Sequence, residues 1–110
     1  MSRDAGEAVA TALRAHIVNF MNFAGRVEAR LVAQTEWASV TFSGARHRVQ
    51  IDLDGGGAVG AAADLLAELP ELEFDIPGHI VADVALLAEA RGDDGIRASL
   101  DLEVLTIEDL

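Results

Sequence analysis

The residues able to do chemistry are few and scattered. The three histidines, His16, His47 and His79, contain no pair at metal-ligand spacing, so no metal site is expected. His47 lies between Arg46 and Arg48, with Arg30 on the preceding strand segment. The Arg30, Arg46 and Arg48 cluster is thus the one place where an anionic ligand would be welcome, with Arg30, His47 and Arg48 as the expected contacts. His47 with Asp52 or Glu36 would make a general base only if the fold converges them. The simpler reading of each histidine is a packed or edge side chain. The chain has no cysteine, hence no disulfide, thiolate ligand or cysteine nucleophile. It has no lysine, which removes Schiff-base chemistry and a phosphate-loop lysine. No G-x-S-x-G nucleophile elbow is present.

Two glycine-rich matches need separate treatment. Gly55-Gly56-Gly57-Ala58-Val59-Gly60 satisfies G-x-G-x-x-G, follows a strand pattern and opens a helix. A dinucleotide fold, however, begins on a fully buried parallel strand, whereas Val49-Gln50-Ile51-Asp52-Leu53 alternates. Asp52, Asp54 and Asp64 flank the glycines and would repel a pyrophosphate. The run therefore reads as a flexible joint, and no cofactor is expected. Asp52-Leu53-Asp54-Gly55 resembles the start of a calcium loop, but Gly56 and Ala63 stand where that loop needs acids.

Charge is distributed unevenly. Residues 1–55 hold six acids and six arginines; residues 56–110 hold thirteen acids and two arginines, Arg91 and Arg97, so the second half carries the whole net charge of −11. Such a chain repels nucleic-acid phosphates and anionic membranes, which excludes both as partners, while a basic protein remains compatible. A composition 51% apolar excludes a disordered chain, and no apolar run is long enough for a membrane span. The first residues lack a basic flank followed by an apolar stretch, so no secretory signal is expected and the cytoplasm is the expected location. Abundant alanine without lysine points to a GC-rich, bacterial coding bias.

The elements that must position these residues follow from periodicity. Residues 3–24 predict a helix with Ser2 as N-cap, Asp4 and Glu7 at its positive end and Gly25 at its close; Val9, Ala12, Leu13, Ile17, Phe20 and Ala24 form its buried stripe. Residues 26–43 alternate, with a parity slip that predicts a bulge or turn at 34–37. One long bent strand is the preferred reading and a three-strand meander the rival. Ser43-Gly44-Ala45-Arg46 predicts a type II′ turn that pairs Phe42 with His47, Val40 with Val49 and Ala38 with Ile51. A second helix is expected over 58–69, with Val59, Ala62, Leu66 and Leu69 inward and Pro70 as its stop. A hairpin of 79–91 and 96–108 closes on Asp93-Asp94-Gly95, pairing Ala90 with Ala98, Leu86 with Leu102 and Val84 with Val104.

The expected architecture is one α+β domain over 1–110. Its order is αββαββ, or αβββαββ if 26–43 is a meander: an antiparallel four- to five-stranded sheet with two helices on one face. Segments 7–54 and 57–110 suggest an internal pseudo-repeat. Two helices shelter only one face, yet alternation leaves Trp37, Val81, Leu87, Leu105 and Ile107 on the other. A contiguous apolar patch usually signals a contact. The expected function is thus a non-enzymatic interaction module forming a homodimer through its sheet. The alternative is a small-molecule binding domain or enzyme with a pocket between sheet and helices, using His47, Trp37 and Arg30 or Arg48.

Overall fold

The computed structural model describes residues 2–108, and side chains from residue 5 to residue 108. The elements are α1 (Ser2–Phe20), β1 (Arg26–Ala38), β2 (Ser43–Asp54), α2 (Ala58–Glu68), β3 (His79–Arg91) and β4 (Arg97–Glu108), with a 3-10 turn at Leu69–Glu71. The four strands form one sheet in the order β1-β2-β4-β3, every neighbouring pair antiparallel. The fold is therefore α+β in αββαββ order with four strands. Each half contributes a helix, a 13-residue strand and a 12-residue strand, and the two shorter strands lie side by side at the centre.

Helix α1 buries Ala5, Val9, Leu13 and Ile17, spaced by four, against the sheet. The expected cap Ser2 and the carboxylate of Asp4 lie outside the described side chains. The helix ends at Phe20, which is 80% exposed, and Phe23 of the following loop enters the core in its place. Gly6 weakens a helix interior by about 1 kcal/mol relative to alanine. A Cβ there, however, would lie 2.5 Å from the Gln34 side-chain oxygen, so the glycine lets α1 approach the sheet. Gly25 does not cap α1. It is glycine because the Asp54 carbonyl oxygen lies 2.5 Å from where a Cβ would stand.

Strand β1 is one strand with a bulge at Val32, two residues before the expected slip. It ends at Ala38 rather than reaching residue 43. The turn to β2 is Ser39-Val40-Thr41-Phe42, closed by the Ser39 N–H donating to the Phe42 carbonyl at 2.7 Å and the Phe42 N–H donating to Ser39 Oγ at 3.0 Å. The expected turn at Ser43–Arg46 and its pairings are overturned. The observed partners are Gln34 with His47, Leu31 with Val49 and Ala29 with Ile51. Gly44 sits inside β2 because a Cβ would overlap the Thr106 carbonyl oxygen of β4.

The glycine joint before α2 is consumed by the fold. Gly55 and Gly57 adopt positive φ (137° and 86°), which favours glycine. The Gly55 N–H donates to the Ile96 carbonyl at 2.8 Å and the Val59 N–H to the Gly95 carbonyl at 3.4 Å, tying the joint to the β3–β4 turn. Helix α2 turns Ala58, Ala61, Ala62 and Leu65 inward; of the expected stripe Ala62 and Leu69 are buried, whereas Val59 and Leu66 are only half-buried and Ala58 and Leu65 take their places. Its apolar residues nearly encircle it, so periodicity alone selects no face; small alanines allow the closest approach.

Strands β3 and β4 pair Leu86 with Leu102 and Val84 with Val104, as expected. Nearer the turn Ala90 pairs with Ser99, not Ala98, and a bulge at Leu87 restores the register; a second bulge falls at Ala82. These bulges re-aim β3. Val81 pairs with Thr106 and packs against the core, whereas Ile80 pairs with Ile107 on the opposite face. Strands of 12–13 residues span about 40 Å, but α1, with 19 residues, covers only about 28 Å and α2, with 11, about 16 Å. The β1–β2 turn therefore projects past the helices, in a molecule 49 × 23 × 22 Å in extent.

Candidate interaction face

Residues paired across antiparallel strands share a face, so the register assigns the side of the sheet away from the helices. Reading across β1, β2, β4 and β3 from the β1–β2 turn, its first row is Trp37, Gly44, Ile107 and Ile80. The second is Thr35, Arg46, Leu105 and Asp83; the third Ala33, Arg48, Glu103 and Ala85; the fourth Arg30, Gln50, Asp101 and Ala88. The fifth is Glu28, Asp52, Ser99 and Ala90, and the sixth Arg26, Asp54 and Arg97. The core formed with both helices lies entirely on the other side.

The first two rows make an apolar end. Trp37 is half-buried over Gly44, whose missing Cβ makes room for the indole. Its Nε1–H is the one buried side-chain polar atom without a partner among the described residues. Leaving a donor dry costs about 1–3 kcal/mol, so apolar contact dominates here. Ile80 is 52% exposed, and on the adjoining turn Val40 is fully exposed and Phe42 56% exposed. A cleft of about 460 Å³ separates that turn from Ile80 and Ile107.

The middle rows are polar and ordered. Arg46 donates to Glu103 at 3.3 Å and Arg48 to Asp101 at 3.2 Å, both across the central strands. Arg30 donates to Gln50 at 3.0 Å, and the Ser99 hydroxyl to Asp52 at 2.6 Å. Exposed ion pairs of this kind contribute at most about 1 kcal/mol each. Their layout matters more: β2 supplies the cations and β4 the anions. The whole face holds five arginines against six acids, a net −1, while the chain carries −11. The excess acid lies elsewhere, including Asp64, Glu68, Glu71, Glu73 and Asp75 on and after α2, a stretch without lysine or arginine.

His47 faces the other way. It is completely buried under the helix layer. Its Nδ1 lies 2.8 Å from Gln34 Oε1 and its Nε2 2.8 Å from Thr106 Oγ1. The Gln34 oxygen can only accept, so Nδ1–H donates and Nε2 accepts the Thr106 hydroxyl proton. Burial pushes the imidazole pKa below its usual value, and charge on His79 pushes it the same way. Both ring nitrogens are engaged and no solvent reaches them. The side chain pins β1, β2 and β4 together and has no nitrogen free to serve a substrate.

The expected site residues divide accordingly. Trp37, Leu105 and Ile107 lie together on the open face. Val81 does not, because the bulge at Ala82 turns it toward the helices; Leu87 sits on the other β3 bulge, 46% exposed. Arg30 and Arg48 are on the open face and His47 is on the opposite one, so these three do not form a common anion site. The clefts about Leu69–Val84, the β1–β2 turn, Gln50–Asp101 and Leu72–Val81 are lined by none of Trp37, Arg30, His47 and Arg48. Sequence reasoning missed Ile80, Val40 and Phe42, whose exposure depends on the turn and bulge positions. Among the described residues no group of three or more His, Asp or Glu side chains converges to hold a metal ion, and no helix is long and apolar enough to cross a membrane. No family model matches the chain, and no curated protein matches it.

Proposed function

We propose that the chain is a non-enzymatic interaction module that associates with a second copy of itself through the open sheet face. The observation that carries this reading is a long, nearly neutral face with an apolar end, on a chain whose charge lies elsewhere. Edge-to-edge association is the competing route, and both edge strands are interrupted: β1 by its bulge at Val32, β3 by those at Ala82 and Leu87. Bulged edges resist pairing with another sheet. Four strands about 40 Å long at ordinary spacing present roughly 750 Å². That is close to the roughly 800 Å² per partner of a standard specific interface.

The test is the oligomeric state by light scattering and sedimentation, with Ile80→Asp as the probe. Ile80 is outside the core, so the variant keeps the native circular dichroism. The expected result is a dimer at micromolar concentration that Ile80→Asp converts to monomer. A wild-type monomer at tens of micromolar, or a dimer indifferent to Ile80→Asp, overturns the proposal.

A further inference from the structure

The geometry points to one arrangement of that dimer: a two-fold axis parallel to the strands, between β2 and β4, that seats each copy's β1–β2 turn in the other's Ile80–Ile107 cleft. The inference rests on the self-association reading. Two sheets packed face to face through a two-fold can be related by an in-plane axis along the strands or across them.

An axis along the strands keeps every row over its own row and exchanges the β1–β2 side with the β4–β3 side. Arg48 then faces the second copy's Glu103, its partner in the same row. Gln50 faces the second copy's Asp101, and Trp37 the second copy's Ile80. The apolar ends coincide. An axis across the strands reverses the rows. It lays Trp37 over the Arg26 row and brings Glu103 of one copy against Asp101 of the other. Like charges in contact oppose association, and the reversed rows leave both apolar ends without an apolar partner, so the first axis is favoured.

The turn supplies an independent reason. Val40 is fully exposed and Phe42 more than half exposed, an unusual pair for a hairpin tip. The favoured axis carries this tip from the β1–β2 side of one copy to the β4–β3 side of the other. There the 460 Å³ cleft stands open between Ile80 and Ile107 and that copy's own turn, Ser39–Ser43. The same rotation thus covers the exposed tip, fills the cleft and opposes the charged columns.

Because the chain lacks cysteine, disulfide trapping is clean. Val40→Cys and Ile80→Cys are made as separate proteins, mixed and oxidised; both positions are exposed, so both variants fold. A Val40→Cys to Ile80→Cys cross-link is the expected product, at least tenfold over either self-cross-link. A dimer by light scattering whose Val40→Cys joins an Arg26→Cys variant instead overturns the axis and leaves self-association standing. A monomer removes both. Charge exchange gives a second readout: Arg48→Glu and Glu103→Arg each weaken association at least tenfold, and mixing the two restores it. Failure of the mixture to recover also overturns the axis.

Discussion

Trp37 and Gly44 occupy each other's space: the indole Cζ2 lies 3.0 Å from where a Gly44 Cβ would stand, and the Thr106 carbonyl oxygen of β4 is closer still. At Gly44, then, the β4 backbone and the Trp37 indole of β1 both close on β2. An alanine there must push apart two central strands, not one flexible side chain. Gly44→Ala is expected to destabilise by at least about 2 kcal/mol, at the upper part of the overpacking range. A shift of that size moves the melting temperature of a chain this long by roughly 8–15 °C. Thermal unfolding followed by circular dichroism measures it, and an unchanged midpoint contradicts the packing described.

That glycine also explains how far the fold was legible. Helix stripes and long alternating runs set the fold class and the helix–hairpin order to within one strand, because burying a face rewards the right period over many residues. The middle of the β3–β4 ladder was readable for the same reason: Leu86 and Leu102, then Val84 and Val104, keep their faces. Gly44 looks like turn chemistry, yet its cause is a backbone approach from β4 that only the tertiary structure contains. The real turn has no glycine, asparagine or proline and is held by the Ser39 side chain. Bulges were the other blind spot. In β3 the neighbours of Ala82 and Leu87 are mostly apolar on both faces, so a parity change leaves no mark. Hence Trp37, Leu105 and Ile107 were legible on the open face, whereas Val81 was assigned to the wrong side. The separation of His47 from Arg30 and Arg48 needs no register: neighbours 47 and 48 point to opposite faces of any strand, and Arg30 alternates with the inward Ala29 and Leu31.

The glycine joint offers a contrast within three residues. Gly56 has open space around it and no positive φ, while Gly57 has the same open space at φ 86°. Gly56→Ala restricts the unfolded chain without straining the folded one and is expected to stabilise by about 0.5 kcal/mol. Gly57→Ala forces a side chain into the left-handed region and is expected to destabilise by about 1–2 kcal/mol. Urea unfolding of the pair decides the matter; equal effects contradict the assigned backbone conformations.

His47 makes stability depend on pH in a defined direction. Its pKa in the folded chain lies below the ordinary 6.5, so the unfolded chain binds the proton more readily. The contribution of the neutral, hydrogen-bonded ring is fully present above pH 6.5. It is lost as pH falls from there toward the lower folded value, with a slope of at most about 1.4 kcal/mol per pH unit. His47→Gln is expected to be less stable throughout, yet to have a flatter profile between pH 7 and pH 5. Equal slopes for the two proteins count against a buried neutral imidazole.

Salt separates the two electrostatic terms that act on association. Each copy carries −11, and the bulk of that charge lies off the open face, so the two bodies repel at long range. Across the proposed contact, Arg48 and Glu103 attract at short range. The Debye length falls from about 30 Å at 0.01 M salt to about 10 Å at 0.1 M and about 3 Å at 1 M. The first change screens the distant acids and spares the contact pairs, so association tightens. The second reaches the contact pairs themselves, so association weakens. The dissociation constant is thus expected to pass through a minimum near 0.1 M salt. Removing the short-range cation with Arg48→Gln should abolish the weakening above 0.1 M and leave the tightening below it. Sedimentation velocity at the three salt concentrations reads both limbs. A dissociation constant that only falls with salt means that apolar contact alone holds the face, and the charged columns play no part.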